Sequence, residues 1–150
     1  MQVRSLTPIR VGREKSIVKT KSPYLLIVED NPADSFWLKR ELKKAEFGMS
    51  VTLLADGQRA LQFLSECDSL PAALFLDLHL PGESGLHVLR TIRLSPTLNK
   101  IIVFVLDGSS SPKEITECEQ LGVAGFLDKP VSQYDLANVV LPRICEHPSA

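Results

Sequence analysis

From Tyr24 onward, short apolar runs alternate with longer segments in which apolar residues return at helical spacing. That alternation is the signature of βαβ units, in which each buried parallel strand is followed by a helix lying over the sheet. The runs Tyr24 to Val28, Met49 to Ala55, Ala73 to Leu76, Ile101 to Leu106 and Gly125 to Leu127 predict five strands. Helices are predicted over about Ala33 to Ala45, after Asp56-Gly57 through Ala60, Leu61 and Leu64, over Gly85 to Arg93, over Pro112 to Leu121, and from Ser132 to about Cys145. Asn31-Pro32-Ala33-Asp34 supplies a cap and a first-turn proline, and Phe36, Trp37, Leu38, Glu41 and Leu42 define the expected packing face of the first helix. Leu94-Ser95-Pro96 breaks the third helix, Gly122 ends the fourth, and Ser132 with Asp135 three residues on opens the last. Pro142 is expected to kink that last helix or end it early. The fold class is therefore α/β, a small doubly wound parallel sheet with helices on both faces.

A chain of 150 residues is about one domain, large enough to bury a core without staples. Its 44% hydrophobic and 23% charged residues exclude fibrous and wholly disordered classes. Its apolar runs are far shorter than the roughly 20 residues that span a bilayer, and there is no signal-peptide core, so a cytoplasmic protein with no membrane partner is expected. Cys67, Cys118 and Cys145 lack metal or disulfide spacing and read as buried or idle thiols. The net charge of −1 is uneven, because residues 1–22 carry +5 and the remainder −6. Residues 1–22 read as a flexible basic extension and 23–147 as the folded domain. A basic tail could touch an acidic partner or nucleic acid, but the acidic remainder argues against a nucleic-acid surface on the domain.

In a doubly wound sheet, ligands gather outside the carboxyl ends of the strands. The first strand ends in Glu29-Asp30, the third in Asp77, the fourth in Asp107 and the fifth in Asp128-Lys129-Pro130. One such carboxylate could simply cap the next helix, whereas four together with a lysine point to a site. Carboxylates with open positions suit Mg2+, which keeps several of its waters. A cation would also offset repulsion among Glu29, Asp30 and Asp77, about 4 kcal/mol for two charges ~4 Å apart at an effective dielectric near 20. Beside a lysine, such a metal makes a phosphate site, and one carboxylate could serve as a nucleophile toward phosphorus. Asp77, alone at the end of its strand, is the best candidate.

"LLIVEDNPAD", "LFLDLHLPGESG" and "GFLDKPV", in this order and at these spacings, resemble the receiver domain of bacterial two-component response regulators over about residues 23–145. "VEDNPAD" is similar in particular to stand-alone receivers that partner bacterial phytochromes. The resemblance implies a flavodoxin-like five-stranded sheet of order 2-1-3-4-5. It implies that Asp77 accepts a phosphoryl group from a phosphohistidine of a sensor histidine kinase, here of phytochrome type. Glu29, Asp30, Asp77 and the backbone carbonyl of His79 would hold Mg2+, and Lys129 would bind the phosphoryl oxygens. Pro130 would follow a cis peptide, and Phe126 would be the aromatic switch.

One position departs from that pattern: the residue ending the fourth strand, expected to be Thr or Ser, is Asp107. An ionised carboxylate cannot donate a hydrogen bond to a phosphoryl group and would repel it. Ser109 or Ser110 could supply the hydroxyl instead, or Asp107 could pair with Lys129. The expected function is a phosphoacceptor signalling module rather than an enzyme. The alternative is a degenerate receiver that binds proteins independently of phosphorylation. A phosphatase on this fold would want an acid at position 79, and a flavodoxin would want a hydroxyl-rich loop after the first strand; both are missing. With about five residues after the last helix, output is expected through an unidentified downstream protein, phosphate shuttling or a homodimer face. His87 and His147 read as surface histidines, Trp37 as packing, and Cys118 as helix filler.

Overall fold

The computed structural model describes residues 22–146. The expected basic extension, apart from Ser22, and His147 lie outside the described residues. The elements are β1 Tyr24–Val28, α1 Pro32–Lys44, β2 Ser50–Leu54, α2 Gly57–Glu66, β3 Ala73–Asp77, α3 Gly85–Leu94, β4 Val103–Asp107, α4 Pro112–Gln120 and β5 Gly125–Asp128. A last helical stretch follows as α5 Gln133–Asp135, a π-helical segment Leu136–Val140, and α6 Leu141–Glu146. All strand pairs are parallel, in the order β2-β1-β3-β4-β5. The expected α/β fold and strand order are both observed.

Alternation along each strand explains the two covered faces. Leu26, Val28, Leu74, Leu76, Val103 and Val105 pack with Leu64, Val88 and Ile92 from α2 and α3. Their sequence neighbours Leu25, Ile27, Phe75, Phe104 and Leu106 point the other way, onto Leu38 and Leu42 of α1 and Leu136, Val140 and Ile144 near the C-terminus. Cys118 sits in the first of these cores, where burial pushes its thiol up to about 11. Among the described residues, no helix is long and apolar enough to cross a membrane.

The helix starts follow the sequence signals. Asn31 Oδ1 accepts from the backbone N–H groups of Ala33 and Asp34, and Ser111 and Glu114 form a reciprocal capping box on α4. Two expectations are corrected. Phe36 is 68% exposed, because the core stripe of α1 runs through Ser35, Leu38, Glu41 and Leu42 instead. Pro142 does not end the last helix: the Leu141 N–H reaches back five residues to Leu136 O, and α6 runs on through the proline to Glu146 after this widened turn.

Candidate functional site at the carboxyl edge of the sheet

Register brings the acids together. Val28 of β1 lies beside Leu76 of β3, so the next residues, Glu29 and Asp77, leave the sheet side by side. Asp77 closes a strand buried along its whole length and is 4% exposed; Glu29 is 2% exposed. Asp30, the residue after Glu29, is exposed. One carboxylate oxygen each from Glu29, Asp30 and Asp77 lies within 4.8 Å of the others. That oxygen-only donor set, open to solvent through Asp30, fits a hard divalent cation.

Lys129 completes the cluster from the other side. Its Nζ is 2.7 Å from Glu29 Oε1 and 3.1 Å from Asp77 Oδ2. The Lys129–Pro130 peptide is cis. Burial works against the ammonium, yet the hydrogen bonds to Glu29 and Asp77 outweigh it and hold the Lys129 pKa above its ordinary value. Glu29 is also raised, because burial, reinforced by Asp77, outweighs the hydrogen bonds from Lys129 and the Asn31 N–H. Two buried carboxylates thus share one ammonium, an arrangement ready to take further positive charge.

The loop after β3 is bound to Asp77: His79 N donates to Asp77 Oδ1 at 3.0 Å. The His79 side chain points away from the cluster, with Nε2 3.5 Å from Glu114 Oε2 on α4. Gly85 allows this loop its close return, since a Cβ there would lie 2.0 Å from Asp77 O and 2.6 Å from Leu78 Cα.

Asp107 lies at the end of β4, beside Asp128 in register. Of the two alternatives the sequence left open for Asp107, the pairing with Lys129 is not formed. Lys129 turns its side chain toward β1 and β3, and only its backbone N–H faces Asp107, 3.4 Å from the carbonyl oxygen. The Asp107 carboxylate instead folds over its own loop, with Oδ1 accepting from Ser110 N at 2.8 Å. Burial opposes ionisation, but the backbone N–H and the hydroxyl of Ser110, with the backbone N–H of Ser109, prevail and hold the carboxyl below its usual range. Asp107 is therefore anionic at neutral pH. Ser110 Oγ is buried against the Asp107 carboxylate, whose ionised form it favours, whereas Ser109 is exposed. Phe126 is partly buried and packs against the core between the sheet and α2–α4.

Two residues of this edge escape a reading based on strand ends. Asp34 Oδ2 lies 3.4 Å from Lys129 Nζ, and the signal for it was its place in the first turn of α1, which faces the same edge. Trp37 does more than pack, because its Nε1 donates to Val131 O at 2.8 Å and ties α1 to the segment after Lys129. His87 is a surface histidine, 3.4 Å from Glu83.

Comparison with known proteins agrees with this geometry. Residues 25–141 match the family described as response regulator receiver domain. The probable methanogenesis regulatory protein FilR2 of Methanothrix harundinacea is 33% identical over 129 residues, covering 83% of each chain. The response regulator Rcp1 of Synechocystis sp. is 33% identical over 121 residues, covering 77% of this chain and 82% of its own. The Mn2+-bound structure of Rcp1 superposes with a TM-score of 0.67, covering 76% of this chain and 86% of that one at 32% identity. The bacteriophytochrome response regulator AtBRR superposes with a TM-score of 0.75 at 30% identity, covering 84% and 94%. The chain also spans 15% of the length of the sensory/regulatory protein RpfC of Xanthomonas campestris, at 33% identity over 115 residues, 75% of this chain. With five parallel strands in receiver order and an acidic cluster beside a lysine at their carboxyl edge, this chain belongs to the response regulator receiver domain family.

Proposed function

We propose that this chain is a signalling receiver that takes a phosphoryl group onto Asp77 from a phosphohistidine of a sensor histidine kinase, and that it turns over nothing else. The observation that carries this reading is the Asp77 carboxylate, buried at the sheet edge in one cluster with Glu29 and Asp30 and with the Lys129 ammonium 3.1 Å away. Glu29, Asp30, Asp77 and the carbonyl of His79 would hold Mg2+, which when bound neutralises charge on the transferring phosphoryl group. An Asp77 oxygen attacks phosphorus, an O–P bond forms, and the histidine N–P bond breaks with its electron pair returning to the imidazole nitrogen. Lys129 stabilises the phosphoryl oxygens, and the N–H of His79 keeps the carboxylate oriented. The likeness to AtBRR supports a phytochrome-type kinase as the donor. Output passes to a downstream protein or a second copy of the chain, in the cytoplasm.

Asp107 gives this receiver an altered response. A carboxylate held to Ser110 N leaves no hydroxyl of its own for an incoming phosphoryl group and repels it. The buried hydroxyl of Ser110, beside Asp107, is the group best placed to substitute.

Incubation with acetyl phosphate and Mg2+ tests the reading. The expected result is a phosphoryl mass increment that disappears in Asp77→Asn and without Mg2+. No increment in the natural chain refutes phosphoacceptance and favours the phosphorylation-independent alternative. A conformational response equal to that of Asp107→Thr refutes the altered switch.

A further inference from the structure

Lys129 has a third anionic neighbour that plays no part in phosphoryl transfer as described. Its Nζ lies 2.7 Å from Glu29 Oε1, 3.1 Å from Asp77 Oδ2 and 3.4 Å from Asp34 Oδ2. Glu29 and Asp77 belong to the three-carboxylate cluster, and Asp34 stands outside it. A divalent cation that draws on Glu29 and Asp77 therefore competes with the ammonium for both, and leaves Asp34 as the partner it does not contest. Asp34 is well anchored for this task. Its backbone N–H donates to Asn31 Oδ1 at 3.2 Å in the first turn of α1, where the helix end favours an anion. One turn further, the indole bond from Trp37 to Val131 O holds that end of α1 against the segment after Lys129.

We propose that Asp34 is a positioning residue that draws the Lys129 ammonium off Glu29 and Asp77, and thereby raises the affinity of the acidic cluster for a divalent cation. The inference rests on the cation role given above to Glu29, Asp30 and Asp77. Ammonium and divalent cation seek the same two carboxylates and repel each other, so an outside anion that shares the ammonium lowers the cost of loading the cluster. Without the Asp34 charge, Lys129 settles more firmly on Glu29 and Asp77. The Asp34–Lys129 pair is partly exposed, which sets the expected effect at about two- to five-fold in affinity.

Mg2+ titrations of the full chain test this, read by calorimetry and by emission of Trp37, the single tryptophan of the chain, which lines the same cleft as Asp34 and Lys129. Asp34→Asn is expected to weaken Mg2+ binding about two- to five-fold, and Asp34→Glu to recover most of the loss. In a Lys129→Met background, Asp34→Asn is expected to change the affinity little, because the ammonium through which it acts is gone. Equal affinities in the natural chain and Asp34→Asn overturn the proposal. So does an Asp34→Glu variant as weak as Asp34→Asn, or a penalty of the same size with and without Lys129. Failure of the natural chain to bind Mg2+ overturns the cation role itself, and this inference with it.

Discussion

Replacing Lys129 with Met keeps the aliphatic stem and deletes the charge that lies between two carboxylates only 2% and 4% exposed, Glu29 and Asp77. Removing one partner of a buried ion pair costs about 3–5 kcal/mol. This site has an escape that lowers the figure, since Glu29 can take up a proton. At 1.36 kcal/mol per pH unit, neutralising a carboxyl of ordinary pKa 4.5 at pH 7 costs about 3.4 kcal/mol. Glu29 costs less, because its pKa already stands above that value. The expected loss at pH 7 without divalent cations is about 2–3 kcal/mol, or about 8–12 °C in Tm for a domain of this size. The pH dependence carries the signature. In the variant, folded Glu29 keeps a proton that the unfolded chain releases near pH 4.5, so the deficit grows as pH rises and closes toward pH 5, by up to about 1.4 kcal/mol per unit. Urea unfolding of both proteins from pH 5 to 8 in chelator measures it. A variant as stable as the natural chain at pH 7, or a deficit that does not change with pH, refutes the reasoning.

Gly85→Ala places a Cβ 2.0 Å from Asp77 O, so the β3–α3 loop must move; a loss of about 3 kcal/mol or more is expected in urea unfolding, with Mg2+ binding weakened. Arg93→Ala removes donors to the carbonyls of Leu121 and Gly122 at the end of α4 and of Asn99 and Ile101 between α3 and β4; a fall of about 2 kcal/mol in unfolding free energy is expected. Asp107→Ala frees Ser110 N and costs about 1 kcal/mol at pH 7. Because folding lowers the Asp107 pKa, its contribution is present above the unfolded value near 3.8 and lost as pH falls through the lower folded value, so the urea midpoints of the two proteins converge in acid.

The strand-end acids were legible because chain geometry alone delivers Glu29, Asp77, Asp107 and Lys129 to one edge of a parallel sheet. Their partnerships were not, since these depend on side-chain directions set by packing between distant segments. Asp107 is the clearest case: its place at the end of β4 follows from the sequence, but its choice of Ser110 N over Lys129 depends on Lys129 reaching toward β1 and β3. Asp34 looked like first-turn helix chemistry, and 95 residues separate it from the lysine it meets. Phe36 was placed on the packing face of α1 by periodicity, although an approximate period cannot say where the apolar stripe ends. Pro142 obeyed the local rule only until a π turn offered a route past it. By itself, then, the sequence determined the α/β order of elements, the helix caps and the identity of the charged edge, all of which follow from local periodicity and turn chemistry. The tertiary structure alone decided which carboxylates share Lys129, because burial and register choose among charges that the sequence merely brings to the same edge.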